Sequence, residues 1–192
     1  MTESTAGPSQ LTVSELRARS GEITVVDVRT PGEYASGHVP GAHNVPLDRL
    51  GEALSALRVA AQRAPLAVVC ASGNRSDSAG RTLGDAGIAA FSVRGGTTAW
   101  TQAGHPVDRV EGAKERWPME RQVRLAAGSL VVAGLAAGLV RPRARLLSAG
   151  IGGGLVFSAV TGTCGMAAVL AKLPYNRAGA DDLTPVLERL AD

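Results

Sequence analysis

The sequence predicts an α/β domain, a parallel sheet flanked by helices, joined to a two-helix transmembrane hairpin. Three observations carry this expectation. Between Thr12 and His105, short apolar runs alternate with helical patterns, as strands and helices in turn require. Beyond Pro118 two long stretches, Leu125–Val140 and Leu146–Ala171, hold no charged residue. Over 192 residues, hydrophobic side chains make up 45% and charged ones only 19%, which excludes a disordered chain or a highly charged binding module. The 24 glycines follow no three-residue period, so a collagen-like chain is excluded too.

Residues 1–10 are a leader with no basic start followed by an apolar run; no secretory signal is expected, and the amino-terminal part is expected in the cytosol. The domain proper, 11–106, opens with Thr12-Val13-Ser14-Glu15, a capping box for a short helix. Ile23–Val28 reads as a buried strand bounded by Gly21 and Pro31. Asn44-Val45-Pro46 reads as a short edge strand, because proline cannot donate to a central ladder. Leu47–Ala61 has the pattern of an amphipathic helix with Leu50, Leu54 and Leu57 on one face, and Leu66–Val69 that of another buried strand. The polar loop Cys70–Arg75 leads into a helix reaching about Gly87. Phe91–Val93 is a further strand, and Gly95-Gly96 turns into a short helix carrying Trp100.

Residues 107–122 read as a charged linker, 123–173 as the hairpin, and 174–192 as a polar tail with a surface helix over Asp181–Leu190. A helix needs roughly 20 residues to cross ~30 Å of hydrocarbon, so the second apolar stretch is ample. The first recruits Val123 and lets Arg124 snorkel to the interface. A soluble helix pair would show a polar face at helical spacing, and neither stretch has one. Gly134 and Gly138 form a small-residue ridge on the first helix, and Gly150, Gly154, Ser158 and Gly162 form one on the second. Such ridges let backbones approach closely, so membrane lipid and a like subunit in a homodimer are the expected neighbours.

Cys70 and Cys164 share no short spacing with each other or with histidine, so disulfide scaffolds and zinc sites have no support. No metal or cofactor is expected, and a reactive thiol would act alone. The net charge of +3 gives no nucleic-acid footprint. A buried strand ending in cysteine, followed by a glycine-containing loop and a helix, activates sulfur. Backbone N–H groups of the loop point at the sulfur and the helix start adds partial positive charge, which favours thiolate. Cys70 is therefore the candidate nucleophile, and Ala71, Ser72, Gly73, Asn74, Arg75 and Ser76 form its binding loop. Gly73 permits the curvature, and Arg75 closes the loop while offering a fixed cation and five donors to an incoming anion.

This loop resembles that of the rhodanese (sulfurtransferase) domain. Asp27-Val28-Arg29, Glu33-Tyr34 and Gly37-His38-Val39-Pro40-Gly41-Ala42-His43-Asn44-Val45-Pro46 match the family's amino-terminal signature, and Gly95-Gly96-Thr97-Thr98-Ala99-Trp100 its carboxy-terminal one. The resemblance implies a rhodanese-like sheet on which Cys70 accepts sulfane sulfur as a persulfide. The donor would be a small sulfur-containing anion such as thiosulfate, and the thiophilic acceptor cyanide or a thiol. Asp27 and Arg29, leaving the end of a buried strand, read as supporting scaffold through charge-assisted hydrogen bonds. His38 and His43 read the same way, since a formed thiolate needs no base, and Trp100 reads as a core seal. Thr161–Ala167, Leu170 and Lys172–Asn176 resemble the membrane segment of YgaP-type bacterial inner-membrane rhodaneses, with Tyr175 where tryptophan is expected. Cys164, inside the membrane, reads as packing.

Cysteine phosphatases carry a loop one residue longer before their arginine; the four residues between Cys70 and Arg75 favour sulfur transfer. The remaining alternatives are a sulfur or redox sensor, or an oligomeric conduit for a thiocyanate-type anion, since two helices per chain cannot enclose a pore. Lys114, Arg116, Arg121 and Arg124 before the hairpin and Lys172 and Arg177 after it outnumber Arg141, Arg143 and Arg145 in its turn. The positive-inside rule thus favours the cytosol for the domain bearing Cys70, and the YgaP-type resemblance implies a multi-pass inner-membrane protein.

Overall fold

The computed structural model describes residues 9–113, 116–161, 165–177 and 182–192. The chain divides into two compact units, one of residues 1–116 with 177–192 and one of residues 117–176. In the first, five parallel strands, β1 (Gln10–Leu11), β2 (Thr24–Asp27), β3 (His43–Asn44), β4 (Leu66–Val69) and β5 (Ala90–Val93), lie in the order β1-β5-β4-β2-β3. β4 is central and buried along its whole length, as a parallel strand covered on both faces must be. Its side chains alternate. Leu66 and Val68, with Cys70 just beyond, join Leu57, Ala60, Ala79 and Leu83 on one face; Ala67 and Val69 join Leu16, Val25 and Trp100 on the other. Burial of one such leucine is worth about 1.5–3 kcal/mol. The edge strand β3 ends before Pro46, and β1, at the other edge, is two residues long and too short for any periodic signal.

Helix α1 (Val13–Ala18) starts on the expected box, with the Glu15 N–H donating to Thr12 Oγ1 at 3.2 Å and the Thr12 N–H to Glu15 Oε2 at 2.8 Å. Helix α2 (Pro31–Ser36) uses the same device with Thr30 and Glu33, and Pro31 opens its first turn. The single helix expected over Leu47–Ala61 divides into a 3-10 segment, Leu47–Ala53, and α3 (Leu54–Arg63). Gly51 weakens α-helical preference where that helix would have begun. Helices α4 (Asn74–Asp85) and α5 (Gly96–Gln102) complete the layers. The start of the charged connector is stitched to α2: His38 and Asp108 exchange backbone hydrogen bonds at 2.9 and 3.0 Å, and the Val110 N–H donates to Ala35 O at 3.0 Å.

In the second unit α6 (Met119–Ala137) packs against α7 (Arg145–Thr161) and α8 (Gly165–Ala171), and α9 (Pro174–Arg177) follows. Of the expected second limb, α7 and α8 are the described parts; Gly162 and Cys164, like Lys114, lie outside the described residues. Gly134 is required where α6 meets α7, since a methyl there would press on Ser148, whose Oγ donates to Val131 O at 2.9 Å. Gly150 and Gly154 have open space beside them. At the base, Gln122 and Asn176 exchange amide hydrogen bonds at 3.0 and 2.9 Å. Leu139, Val140 and Val160 are each more than four-fifths exposed. Residues Pro142–Thr161, with mean hydropathy 1.3, are long and apolar enough to cross a membrane.

The carboxy-terminal residues, read from the sequence as one polar tail, divide. Helix α10 (Thr184–Ala191) returns to the α/β unit and packs on α3, with Leu190 buried in the core cluster and Val186 and Leu187 packed against it. Arg63 also donates to Ala191 O. The spacing Leu183, Val186, Leu187, Leu190 is an amphipathic stripe, short enough to pass for surface.

Candidate active site

Cys70 follows β4 directly, at the carboxyl end of the central strand, where open parallel sheets present their crevices. Gly73 has φ +114°, a conformation that strains any side chain, and α4 begins at the next residue. This turn brings the Gly73 N–H to 3.1 Å from Cys70 Sγ. A donor aimed at sulfur and the amino end of a twelve-residue helix both stabilise negative charge there.

The start of α5 braces the other side of the loop. The Thr97 N–H donates to Cys70 O at 2.8 Å and the Thr98 N–H to Ala71 O at 3.0 Å. Gly96, at φ +56°, lies so close that a methyl would run into Cys70 O and stand 2.7 Å from the Ala71 carbonyl. On the inner side, Ser76 Oγ accepts from the Cys70 thiol at 3.7 Å and from the Ser92 hydroxyl at 2.9 Å, and donates to Gly73 O at 2.8 Å. Cys70 itself is fully buried.

The rhodanese-like domain profile matches residues 12–103, and the profile of the YgaP-like inner-membrane-protein transmembrane domain matches residues 118–179. The chain is 39% identical over 168 residues to an uncharacterized protein of Synechocystis sp., slr1261, covering 86% of this chain and 90% of that one. It is 36% identical over 102 residues to the thiosulfate sulfurtransferase GlpE of Pseudomonas putida, covering 53% of this chain and 88% of that one. The chain belongs to the rhodanese-like family. A crystal structure of a rhodanese-related protein from Thermoplasma volcanium covers 54% of this chain and 99% of its own, at 32% identity and a TM-score of 0.49.

Within this rhodanese-like domain, Arg75 closes the loop through a partner that the sequence reading does not name. Its two terminal nitrogens donate to Glu33 at 2.8 and 2.9 Å. Glu33, only 2% exposed, also accepts from the Thr30 N–H and hydroxyl, so one carboxylate caps α2 and clamps the loop. Glu33 was visible in the sequence as a signature residue, but nothing in it pointed to a partner so distant along the chain.

Asp27 and Arg29 form a buried pair, Nη2 to Oδ2 2.6 Å, and Arg29 also donates to Gly37 O at 2.8 Å. Burial works against the Arg29 charge, but the Asp27 carboxylate outweighs it and holds the guanidinium protonated beyond its ordinary range. Burial, with the Asp27 charge behind it, pushes the Tyr34 phenol up; its hydroxyl donates to Ala42 O at 2.6 Å. His38 stacks on Tyr34 with ring centroids 3.7 Å apart, and its Nδ1 lies 2.9 Å from Tyr34 O. His43, half-buried on β3, is held below its usual range by burial and then by the Arg189 charge on α10. Trp100 is buried and donates to Pro106 O at 2.7 Å. Asp27 and Arg29 thus tie the end of β2 to the turn after α2, and the His38 ring packs back on that helix.

Proposed function

We propose that this rhodanese-like protein is a membrane-anchored sulfurtransferase that carries sulfane sulfur on Cys70. The observation that carries the reading is Sγ at the end of the central strand with the Gly73 N–H 3.1 Å away. In the first half-reaction the Cys70 thiolate attacks the outer sulfur of a donor such as thiosulfate. The donor's S–S bond breaks, sulfite leaves with the bonding pair, and a persulfide forms on Sγ. In the second, cyanide or a thiolate attacks the outer sulfur, the Sγ–S bond breaks, and its electron pair returns to Sγ. Negative charge alternates between Sγ and the atom beyond it, and fixed donors serve both halves without reorganising. Arg75, paired with Glu33, holds the loop shape, and the donor's charge meets backbone donors and the helix end.

In this reading the helical unit anchors the protein in the inner membrane. The return of α10 to the α/β unit supports an even number of crossings: the chain leaves that unit near residue 116 and rejoins it at 177. The basic flanks favour the cytosol for the sulfur-carrying domain. The open ridge at Gly150 and Gly154 supports a homodimer through α7, which crosslinking in detergent tests; a native chain found only as monomer removes it. The transferase reading is tested with thiosulfate and cyanide, following thiocyanate: native protein turns over and Cys70→Ser does not, whereas equal rates remove the reading.

A further inference from the structure

We propose that Ser92 is a positioning residue for Cys70, acting through Ser76 as a hydroxyl switch that reverses direction when the sulfur loses its proton. It rests on the reading of Cys70 as the sulfur carrier, but its test reads Cys70 reactivity directly and needs no sulfur donor or acceptor.

Ser92, on β5, and Ser76, in the first turn of α4, are both 0% exposed, so their hydroxyls find partners inside the protein. Each has one proton to give. Ser92 gives its proton to Ser76 Oγ at 2.9 Å, and Ser76 gives its own to Gly73 O at 2.8 Å. Ser76 is left with a lone pair turned to the Cys70 thiol at 3.7 Å. That arrangement suits a thiol, which donates. It opposes a thiolate, which would face a lone pair. Rotation of the Ser76 hydroxyl from Gly73 O to Sγ turns the contact into an attractive one. Gly73 O is not stranded by this, because it also accepts from the Asp77 N–H at 2.9 Å. Ser92 keeps donating to Ser76 Oγ throughout, and a hydroxyl that accepts a hydrogen bond is polarised into a stronger donor. The pair is buried and ends at Ser92, so it conducts no proton; the thiol proton leaves on the loop side.

The test uses the full-length chain in detergent, with Cys70 alkylation by iodoacetamide resolved from Cys164 by peptide mass spectrometry across the neutral pH range. Ser76→Ala is expected to slow alkylation about two- to tenfold near neutrality, the scale of one hydrogen bond, and to move the rise of the profile to higher pH. Ser92→Ala shifts it in the same direction by less, Ser92→Thr restores it, and the double alanine variant matches Ser76→Ala alone. A Ser92→Ala profile that coincides with the native one, or losses that add in the double variant, overturns the proposal. Should Ser92→Ala fail to fold, as read from Trp100 emission, Ser92→Cys, similar in size and a weak donor, is compared with the same two outcomes.

Discussion

Replacing Arg75 with alanine should unseat the loop before it weakens any handling of substrate. The guanidinium meets Glu33 through two hydrogen bonds of 2.8 and 2.9 Å, with side-chain exposures of 17% for Arg75 and 2% for Glu33. Removing one partner of a buried pair costs about 3–5 kcal/mol, because the other charge is left in a medium that cannot solvate it. Thr30 still donates twice to Glu33, and the arginine end is partly open to water, so the expected loss here is about 2–3 kcal/mol. The double variant Arg75→Ala with Glu33→Gln removes the stranded charge and keeps the capping box, so it should recover to within about 1 kcal/mol of native. Urea unfolding in fixed detergent, in a Trp117→Phe background that leaves buried Trp100 as the reporter, measures both. The midpoint of the single variant should fall by about 1–2 M. A single variant within about 0.5 kcal/mol of native, or a double variant as unstable as the single, would refute the clamp.

Gly96→Ala combines a left-handed backbone with overlap on the Cys70 and Ala71 carbonyls, and should cost about 2–5 kcal/mol by the same Trp100 readout; native stability would show that α5 does not brace the loop. Leu190→Asp places a charge in the core cluster beside α3 and should destabilise the α/β unit by about 3 kcal/mol or more, whereas an unaltered midpoint would make α10 an unattached tail. His43 is held below its ordinary 6.5, so the unfolded chain takes up the proton first; its contribution is present above about pH 6.5 and is lost as pH falls through the folded value. His43→Asn should flatten that acid-side decline in the unfolding midpoint, and parallel curves for the two proteins would contradict it.

The parts of this fold that declared themselves in the sequence are those whose pattern is local. Leu66–Val69 is a continuous apolar run, Thr12–Glu15 is a capping box, and Cys70 sits where strand chemistry gives way to a turn, so each follows from adjacent residues. Helix α2 carries an equally local signal, the capping box Thr30-Pro31-Gly32-Glu33, which a reading of Pro31 as a strand boundary passes over. Other features were not legible for a physical reason. Glu33 meets Arg75, and Ser92 meets Ser76, because strand order places them side by side, and no spacing along the chain encodes strand order. The return of α10 was hidden because half of an eight-residue amphipathic helix is polar by necessity. Arg75 is legible as the residue that closes the loop, while the buried carboxylate that holds it there is visible only in three dimensions.

The sulfur-carrier role of Cys70 is tested most directly by the mass of its own peptide. Full-length protein exposed to thiosulfate, trapped and digested, should show the Cys70 peptide heavier by one sulfur atom. That mass should vanish on brief addition of cyanide, as thiocyanate appears in equal amount. Thiocyanate formed at the native rate while the Cys70 peptide never carries the extra sulfur, or while Ser stands in place of Cys70, would contradict it.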